Sequence, residues 1–458
     1  MAGYEFSRKS QKVSPVLTNF RRIQTAIPVP GTEQVLDRLD RYESKSMHGQ
    51  LPLVWDRADD FSIFDSAGNQ WIDFTSTIFV ANVGHSNPNV SKAISATLNK
   101  PIYSCYAYGN EIRAQYLEKL IKFAGKPFEK AFLLSAGTEA TEATLKLMRM
   151  YGQKQNKRCR GIICIEGNWH GRTLGAQMMS SNLAQRDWIG YQDENIHHIP
   201  FPYPWILNGV SSESFLEAGL SRLVASGVDL SKDICGFMLE TFQGWGAVFY
   251  PPEFVKAIEV ICRKNNILLA FDEMQAGFGR TGSAFGFQHY DVTPDLIACG
   301  KGMGGGVSLS GVLGRSEIMD LPDIGNMSST HSANPLVCAA GMAVIEEIEN
   351  RNLIGEAARK GDLLFNALQE LQILYPNRIE RLLGKGLIAA VLFRHPETGT
   401  PDPQFTSRVA ELCMQKGLLV VHTGRESIKI GPPLTILDEA LVEGVSVLGE
   451  SILEIDSQ

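Results

Sequence analysis

The feature that most constrains the fold of this chain is an alternation of short, almost uninterrupted apolar segments with amphipathic stretches. Six apolar segments have the length of strands, and they lie at residues 131–135, 161–166, 235–240, 267–272, 295–299 and 308–314. Strands without polar alternation are typical of a sheet that helices cover on both faces. The stretches 139–151 and 252–265 between them have apolar residues at helical spacing. The alternation therefore predicts an α/β domain with a mostly parallel central sheet.

A smaller α+β domain is expected after this alternating region. Past residue 340 the sequence changes to two helical stretches followed by two strand-like segments. These lie at 341–350, 354–371, 386–393 and 417–422. The 458 residues therefore divide into an N-terminal arm with part of the small domain at 1–75, a large domain at 76–340 and a C-terminal small domain at 341–458.

The charge balance and hydropathy exclude two classes of partner. Lys and Arg total 43 against 50 Asp and Glu, and the net charge of −7 provides no positive field for binding nucleic acid. No segment approaches the roughly 18 consecutive apolar residues that indicate a membrane span. We therefore expect neither nucleic acid nor a membrane as a partner.

The cysteines and the N-terminus indicate a cytoplasmic protein. The eight cysteines are scattered, none forms a C-x-x-C pair, and most lie in apolar segments as small core side chains of a reducing compartment. We therefore expect no metal site. The first 30 residues are basic and lack the apolar core of a signal peptide. This segment is interpreted as an arm that lies on a partner, with a transit peptide as the alternative.

Chemically active residues follow the apolar segments, at the sheet edge where α/β proteins bind ligands. They are Gly137-Thr138, the tetrapeptide 168–171, Glu240, Asp272-Glu273 and the tripeptide 300–302. Each alone has a structural interpretation: an ordinary turn, a core tryptophan, a hydrogen-bonded histidine or carboxylate, or a surface lysine. Together, a lysine amine, a carboxylate, an aromatic ring and an anion-binding helix N-terminus match the requirements of pyridoxal phosphate (PLP).

The glycine-rich segment GKGMGG at 300–305 admits a second interpretation. It fits the dinucleotide pattern G-x-G-x-x-G, and Asp320 follows at a suitable distance. That pattern must open a helix, whereas the residues after Gly305 have the composition of a strand. The segment therefore favours attachment of a flat cofactor to Lys301 over nucleotide binding.

Five motifs, in this order, resemble those of the class III (ω-amino acid) aminotransferases, PLP enzymes of fold type I. They are SAGTEA at 135–140, WHGRT at 169–173, DEMQAGFGRTG at 272–282, GKGMGGG at 300–306 and STHSANP at 329–335. Gly84-His85 and the segment PPLT at 432–435 complete a resemblance that runs from about residue 40 to about residue 450. The resemblance implies a large PLP-binding domain with a mostly parallel sheet, together with a smaller α+β domain.

The resemblance also implies roles for individual residues. Lys301 binds PLP as a Schiff base and later moves a proton, while Asp272 keeps the pyridine nitrogen of the cofactor protonated. The implied cofactor contacts are Ala136, Gly137, Thr138, Trp169, His170, Glu240, Asp272, Met274, Gln275, Lys301 and Thr330. Among them, Trp169 stacks on the ring and Glu240 supports Gln275. Thr330 reaches the phosphate in the neighbouring subunit's site, which implies a homodimer.

Three departures from the family pattern concern the substrate. Trp245 stands where many members have a glutamate, Lys429 stands where many have an arginine, and Ser332-Ala333 replaces a glycine pair. Lysine cannot make the bidentate hydrogen bonds that arginine makes to a carboxylate. Trp245 instead provides a flat apolar wall. These two positions are the candidate substrate residues, and they argue against an ordinary ornithine, acetylornithine or 4-aminobutyrate aminotransferase.

The sequence therefore predicts a transaminase that works by a ping-pong mechanism. An amine or amino acid donor gives its amino group to an aldehyde or ketone, and we expect a non-standard acceptor such as a sugar, a cyclitol or another biosynthetic aldehyde. The alternative is an aminomutase or a decarboxylase on the same scaffold, because the cofactor serves those reactions too. A non-enzymatic PLP-binding protein would require Lys301 or Asp272 to be idle.

Overall fold

The structure, a computed structural model, describes residues 4–47, 49–100 and 102–457. Its contacts divide the chain into two units. The first, here the sheet unit, comprises Pro88–Gly244 and Val248–Ile354. The second, here the terminal unit, comprises the chain up to Asn87, the tripeptide Trp245–Ala247 and the chain from Gly355 onward. The domain boundaries set from the sequence, after residues 75 and 340, stay a prediction, and they did not anticipate that Trp245–Ala247 groups with the terminal unit.

The sheet unit is built on a seven-stranded sheet. Its strands are β1 (Lys130–Leu134), β2 (Gly161–Ile165), β3 (Ile196–Ile199), β4 (Ile234–Glu240), β5 (Leu268–Asp272), β6 (Leu296–Cys299) and β7 (Ser310–Gly314). They lie in the order β1-β7-β6-β5-β4-β2-β3. Only β7 runs antiparallel to its neighbours. The predicted α/β fold with a mostly parallel sheet is confirmed.

The sheet unit also contains helices that alternate with these strands along the chain. They are Pro88–Leu98, Glu111–Ala124, Gly137–Lys154 (α1), Leu174–Met179, Leu183–Arg186, Pro204–Leu207, Ser212–Ala225, Leu230–Asp233, Pro252–Asn265, Ser316–Met319 and Pro335–Asn350. On α1, the side chains of Ala140, Leu147 and Met148 are buried in one core cluster with residues of β2, β4, β5 and β6. This packing holds the first turn of α1 at the edge where the parallel strands end.

The terminal unit contains two smaller sheets. One sheet contains Val16–Leu17, Arg22–Ile23, Arg57–Asp59, Ser62–Phe64, Gln70–Asp73 and Leu418–Leu419. The other is antiparallel and contains Ile379–Lys385, Ile388–Phe393, Ser427–Ile430 and Val421–His422. The helices are Thr32–Tyr42, Ser76–Phe79, Leu353–Leu374 (nearly all in this unit), Pro403–Gln415 and Asp438–Asp456.

No helix in the described ranges is long and apolar enough to cross a membrane.

Candidate active site

Two carboxylates lie side by side where the central strands of the sheet unit end. Glu240 is the last residue of β4 and Asp272 is the last residue of β5, and the parallel register pairs one directly with the other. Both are buried. Because parallel strands end at one edge, the alignment that makes the sheet also brings the two acidic groups together.

His170 holds Asp272 from the neighbouring loop. Its Nδ1 lies 2.9 Å from Asp272 Oδ2, and the backbone N–H of Met274 donates to Asp272 Oδ1 at 3.0 Å. The backbone of His170 is fixed as well, because its backbone N–H donates to Ser180 Oγ at 2.8 Å. Its Nε2 is buried without a hydrogen-bond partner among the described residues. Asp272 therefore has a defined orientation at the strand end.

Glu240 connects two loops at this edge. Its Oε2 accepts the backbone N–H of Trp169 at 3.0 Å, and it also accepts the N–H of Gly244. A Cβ at Gly244 would lie 2.3 Å from Nε2 of Gln275 and 3.0 Å from Oε1 of Glu240, so a larger residue there would displace the end of the Gln275 side chain. Burial, with the charge of Asp272 as a smaller cause, raises the pKa of Glu240 to about 8.

The raised pKa of Glu240 predicts a specific dependence of stability on pH. Between about 4.5 and about 8 the folded state keeps a proton on Glu240 that the unfolded state releases. The contribution of this group to the free energy of unfolding is therefore complete at low pH and is lost as the pH rises through this window. We expect the thermal midpoint of the PLP-free protein to fall more steeply from pH 5 to pH 8 than that of the Glu240→Gln variant.

The comparison between the two proteins isolates this one group. All other titrating residues are common to both, so their contributions cancel in the difference of midpoints. Parallel pH profiles for the native protein and Glu240→Gln would show that Glu240 is ionised in the folded state.

Lys301 follows β6 and lies between two glycines. Its φ of 49° places it in the left-handed region, which a non-glycine residue occupies only where the surrounding structure requires it. Burial lowers the pKa of its amine, while the negative charge of Asp272, and that of Glu240 when it is ionised, oppose that shift. A lowered pKa makes the neutral, nucleophilic amine more available.

Met274 packs against both glycine turns of the site. A Cβ at Gly137 would lie 2.9 Å from Met274 Sδ, and a Cβ at Gly300 would lie 2.7 Å from the same sulfur atom. The thioether therefore occupies the space that side chains at Gly137 and Gly300 would take. This arrangement brings the start of α1 close to the loop that carries Lys301.

The first turn of α1 has the properties of an anion site. Ala136 precedes the helix, and Glu139 accepts the N–H groups of Ser135 and Ala136, at 2.9 and 3.0 Å. The helix itself begins with Gly137 and Thr138, whose N–H groups belong to the positive end of the helix dipole. Thr138 Oγ1 lies 2.7 Å from Thr173 Oγ1. These features suit a phosphate group.

Trp169 has an accessible ring, unlike an ordinary core tryptophan. Its side chain is 37% exposed although its backbone is fixed by Glu240. The guanidinium of Arg172 lies over the indole, 4.5 Å from the ring centroid. Arg172 is exposed, and no ion pair to it is found within the described ranges. Arg172 lies in the motif WHGRT but was not among the predicted site residues.

For three predicted site residues the structure shows other contacts or a place in the other unit. Thr330 is exposed, and its carbonyl oxygen accepts a hydrogen bond from Ser104 Oγ at 3.4 Å. Trp245 and Lys429 belong to the terminal unit. There Lys429 is buried, and its ammonium group lies 4.9 Å from the centroid of the Phe79 ring.

The residues of the sheet unit fit PLP. Lys301 provides an amine for the aldehyde, Asp272 a carboxylate for the pyridine nitrogen, Trp169 a ring for stacking and the start of α1 a place for the phosphate. The absence of a side chain at Gly137 and Gly300 leaves room for Met274 between the two turns. No cluster of three or more His, Cys, Asp or Glu side chains suited to a metal ion occurs in the part of the chain that the structure describes.

Comparisons with known proteins identify a family of aminotransferases. The family profile described as Aminotransferase class-III matches residues 44–452. The 4-aminobutyrate aminotransferase of Mycobacterium leprae is 31% identical over 440 residues, covering 93% of this chain and 97% of that protein. The 2-aminoadipate transaminase of Pseudomonas putida is 32% identical over 416 residues, covering 88% and 97%.

Solved structures share the fold. An aminotransferase from Bacillus anthracis superposes with a TM-score of 0.83 at 25% identity, over 92% of this chain and 98% of that one. The ornithine aminotransferase from Toxoplasma gondii, described with PLP at its active site, superposes with a TM-score of 0.81 at 24% identity, over 93% and 95%. The chain therefore belongs to the class III aminotransferases, and it is a PLP-dependent transaminase of fold type I.

Proposed function

We propose that this enzyme moves an amino group from a primary amine or amino acid to a non-standard aldehyde or ketone by a ping-pong mechanism. The observation that carries the proposal is the convergence of Lys301, Asp272 and the first turn of α1 at one edge of the sheet. Asp272 is oriented by His170 at 2.9 Å, and Lys301 is partly desolvated beside two acidic groups. A structural role alone does not require this combination.

Lys301 and Asp272 are the proposed catalytic residues. PLP supplies an electron sink and a temporary carrier for the amino group. Lys301 Nζ is the amine that would hold the cofactor aldehyde, and once free it would be the base that takes the proton from the amine-bearing carbon of the donor. Asp272 would keep a proton on the pyridine nitrogen of a bound cofactor through its charge and a hydrogen bond. His170 fixes the carboxylate in the orientation for that contact.

The remaining cofactor contacts hold and orient PLP. Gly137 and Thr138, preceded by Ala136, bind the phosphate, and Trp169 stacks on the ring. Gln275, placed beside Gly244 by Glu240, contacts the phenolic oxygen, and Met274 packs beneath the two glycine turns.

We further propose a cytoplasmic homodimer in which Thr330 reaches the phosphate of the neighbouring site. The exposed position of Thr330 leaves it accessible to a second subunit. Neither nucleic acid nor a membrane is a proposed partner, because the net charge is −7 and the small-molecule donor and acceptor account for the site.

The proposal of an unusual acceptor rests on Trp245 and Lys429. The relatives are named for 4-aminobutyrate and 2-aminoadipate, both amino acids. In this chain a tryptophan replaces the family glutamate, and the family arginine is a buried lysine that packs on Phe79. Binding of a substrate carboxylate at this position is therefore weaker than with the family arginine. We propose a sugar, a cyclitol or another biosynthetic aldehyde as the acceptor.

A single-turnover experiment tests the ping-pong mechanism. The PLP-loaded enzyme is mixed with a panel of amines and no acceptor, and we expect one equivalent of carbonyl product and an enzyme that keeps the amino group. A second incubation with aldehydes should then release that nitrogen as a new amine. An aminomutase would return an isomeric amine without any acceptor, and a decarboxylase would release carbon dioxide, so either result would contradict the proposal.

A further inference from the structure

One face of α1 is hydrogen-bonded to the loop that carries Trp169 and His170. Thr141 Oγ1 donates to the carbonyl oxygen of His170 at 2.7 Å. The backbone N–H of Thr173 donates to Thr138 Oγ1 at 3.3 Å. Because Thr138 and Thr141 are three residues apart on a helix, they lie on the same face. Side chains of this face therefore hold the start of α1 and the loop to each other.

Glu142 lies on the same face of α1 and accepts two hydrogen bonds with one oxygen atom. Its Oε1 accepts the hydroxyl of Thr173 at 2.6 Å and the backbone N–H of Ala176 at 3.0 Å. Ala176 lies in the first turn of the helix Leu174–Met179, and Thr173 directly precedes that helix. The half-buried carboxylate of Glu142 thus satisfies the beginning of the helix that follows the loop.

Two glycines allow the close approach that these contacts need. A Cβ at Gly171 would collide with the hydroxyl oxygen of Thr138, and the φ of 139° at this glycine is strained for other residues. A Cβ at Gly175 would collide with Oε2 of Glu142. The hydroxyl of Thr138 and the carboxylate of Glu142 therefore pack directly against the backbone of the loop and of the helix that follows it.

The hydrogen bonds fix the direction in which Thr138 donates its hydroxyl proton. The Thr173 hydroxyl has one proton, and a carboxylate at Glu142 can only accept it. Thr173 Oγ1 lies 2.7 Å from Thr138 Oγ1 and is then the acceptor in that second contact. Thr138 therefore donates to Thr173, and its hydroxyl proton is not available to an anion at the same time.

The backbone N–H groups of Gly137 and Thr138 remain for the phosphate. These are the first two residues of α1, and the N–H groups of a first turn have no carbonyl partner within their own helix. The N–H groups of Ser135 and Ala136, just before them, bond to Glu139 instead. The position of the two remaining N–H groups depends on how the first turn is held, and Thr138 is the residue by which the loop holds it.

We propose that Glu142 is a positioning residue of the phosphate site. Through Thr173 it directs the hydroxyl of Thr138 to the loop, so that Thr138 binds the phosphate of PLP by its backbone N–H and not by its hydroxyl proton. The proposal rests on the proposed function, which places the phosphate at Gly137 and Thr138. In this role Glu142 acts on the cofactor only through the two threonines.

The affinities of the full-length, PLP-free protein for PLP and for pyridoxal test the proposal. The two molecules share the ring and the aldehyde and differ in the phosphate, so the ratio of their dissociation constants gives a preference that reports on phosphate binding. We expect Glu142→Ala, Thr173→Val and Thr138→Val each to lower the preference for PLP by about fivefold or more, and by similar factors, because each opens the same chain of hydrogen bonds.

Two further variants show whether the three residues act as one chain. The double variant Glu142→Ala/Thr138→Val should have no lower preference than either single variant, because the second change removes nothing that the first has left intact. Glu142→Gln should recover most of the native preference, since its amide oxygen can still accept the hydroxyl of Thr173.

Glu129 provides the control, because it is another carboxylate that accepts an N–H group from the first turn of a helix. Its Oε2 accepts the backbone N–H of Ser316, where the helix Ser316–Met319 begins, at 3.0 Å. Glu129 directly precedes β1, whereas Gly137 follows it, so the two lie at opposite ends of that strand. We expect Glu129→Ala to lower the thermal midpoint and to leave the preference for PLP unchanged.

The outcomes separate a positioning role from a structural one. A preference for PLP that is unchanged in Glu142→Ala would overturn the proposal, and equal weakening of PLP and pyridoxal binding is such a result. A loss of preference in Thr138→Val alone would likewise overturn it, because the hydroxyl of Thr138 would then donate to the phosphate directly. A native protein that binds PLP and pyridoxal equally would instead refute the phosphate site of the proposed function.

Discussion

Replacement of Lys301 by alanine is expected to reduce transamination by at least about 10⁴-fold, because the variant loses both the amine that binds PLP and the group that transfers the proton. No other described lysine has the same surroundings: Lys301 follows β6, is held at a φ of 49° and faces Asp272 and Glu240. Steady-state rates and the visible absorbance of the lysine-bound cofactor measure the two losses separately.

Two further variants make the Lys301 experiment specific. Lys301→Arg keeps a positive charge but has no amine that can bond to the aldehyde, so it should be as inactive as the alanine variant. Lys157 is another buried lysine of the sheet unit, and its Nζ donates to the carbonyl oxygens of Ser231 and Asn265. Lys157→Ala should lower stability and keep the absorbance band. A Lys301→Ala protein that kept both the band and turnover would refute the assignment of Lys301.

Replacement of Asp272 by asparagine should lower kcat by roughly 10²–10³-fold, the effect of removing one aligned electrostatic partner from a transition state. Asparagine keeps the size of the side chain and a hydrogen bond to His170, but it removes the negative charge. The variant then lacks the charged group that would keep the cofactor nitrogen protonated, so we expect removal of the donor's proton to be slowed while PLP still binds. Rapid mixing with an amine donor measures that step directly.

The adjacent residue Glu273 provides the control for Asp272. Its carboxylate is buried too, and burial raises its pKa to about 7. It accepts hydrogen bonds from Thr241 Oγ1 at 2.6 Å and from the N–H groups of Gly286 and Phe287, at 2.8 and 2.7 Å, and so serves the loop rather than the cofactor. Glu273→Gln should change the thermal midpoint more than kcat. Equal effects of the two substitutions on kcat would contradict a special role for Asp272.

The strand ends were the part of the site that the sequence predicted best. Apolar runs such as those before Glu240 and Asp272 mark strands buried on both faces, and parallel strands end at a common edge. The rule places both carboxylates together before any coordinates are known. The structure adds that they are paired in register and that one accepts two backbone N–H groups. Those details depend on loops, whose conformation is not marked by a periodic pattern of apolar residues in the sequence.

Strand β3 and the contact of the Arg425 guanidinium with the Trp245 ring show why other features were missed. Ile196–Ile199 contains two histidines, so it lacks the apolar run that marked its neighbours, and as the outer strand of the sheet it does not need one. Arg425 is an exposed arginine in a turn, which resembles a solvated surface residue. Its contact with Trp245 joins segments far apart in the chain, and such contacts follow from tertiary structure alone.

The position of Met274 has a consequence for how this sequence can diverge. One sulfur atom occupies the space beside both Gly137 and Gly300, although the three residues belong to separate motifs. A methyl group gained at either glycine demands that the thioether move, and a shorter side chain at position 274 would remove that demand. Among descendants of this protein, a larger residue at position 137 or position 300 should therefore be accompanied by a shorter side chain at position 274.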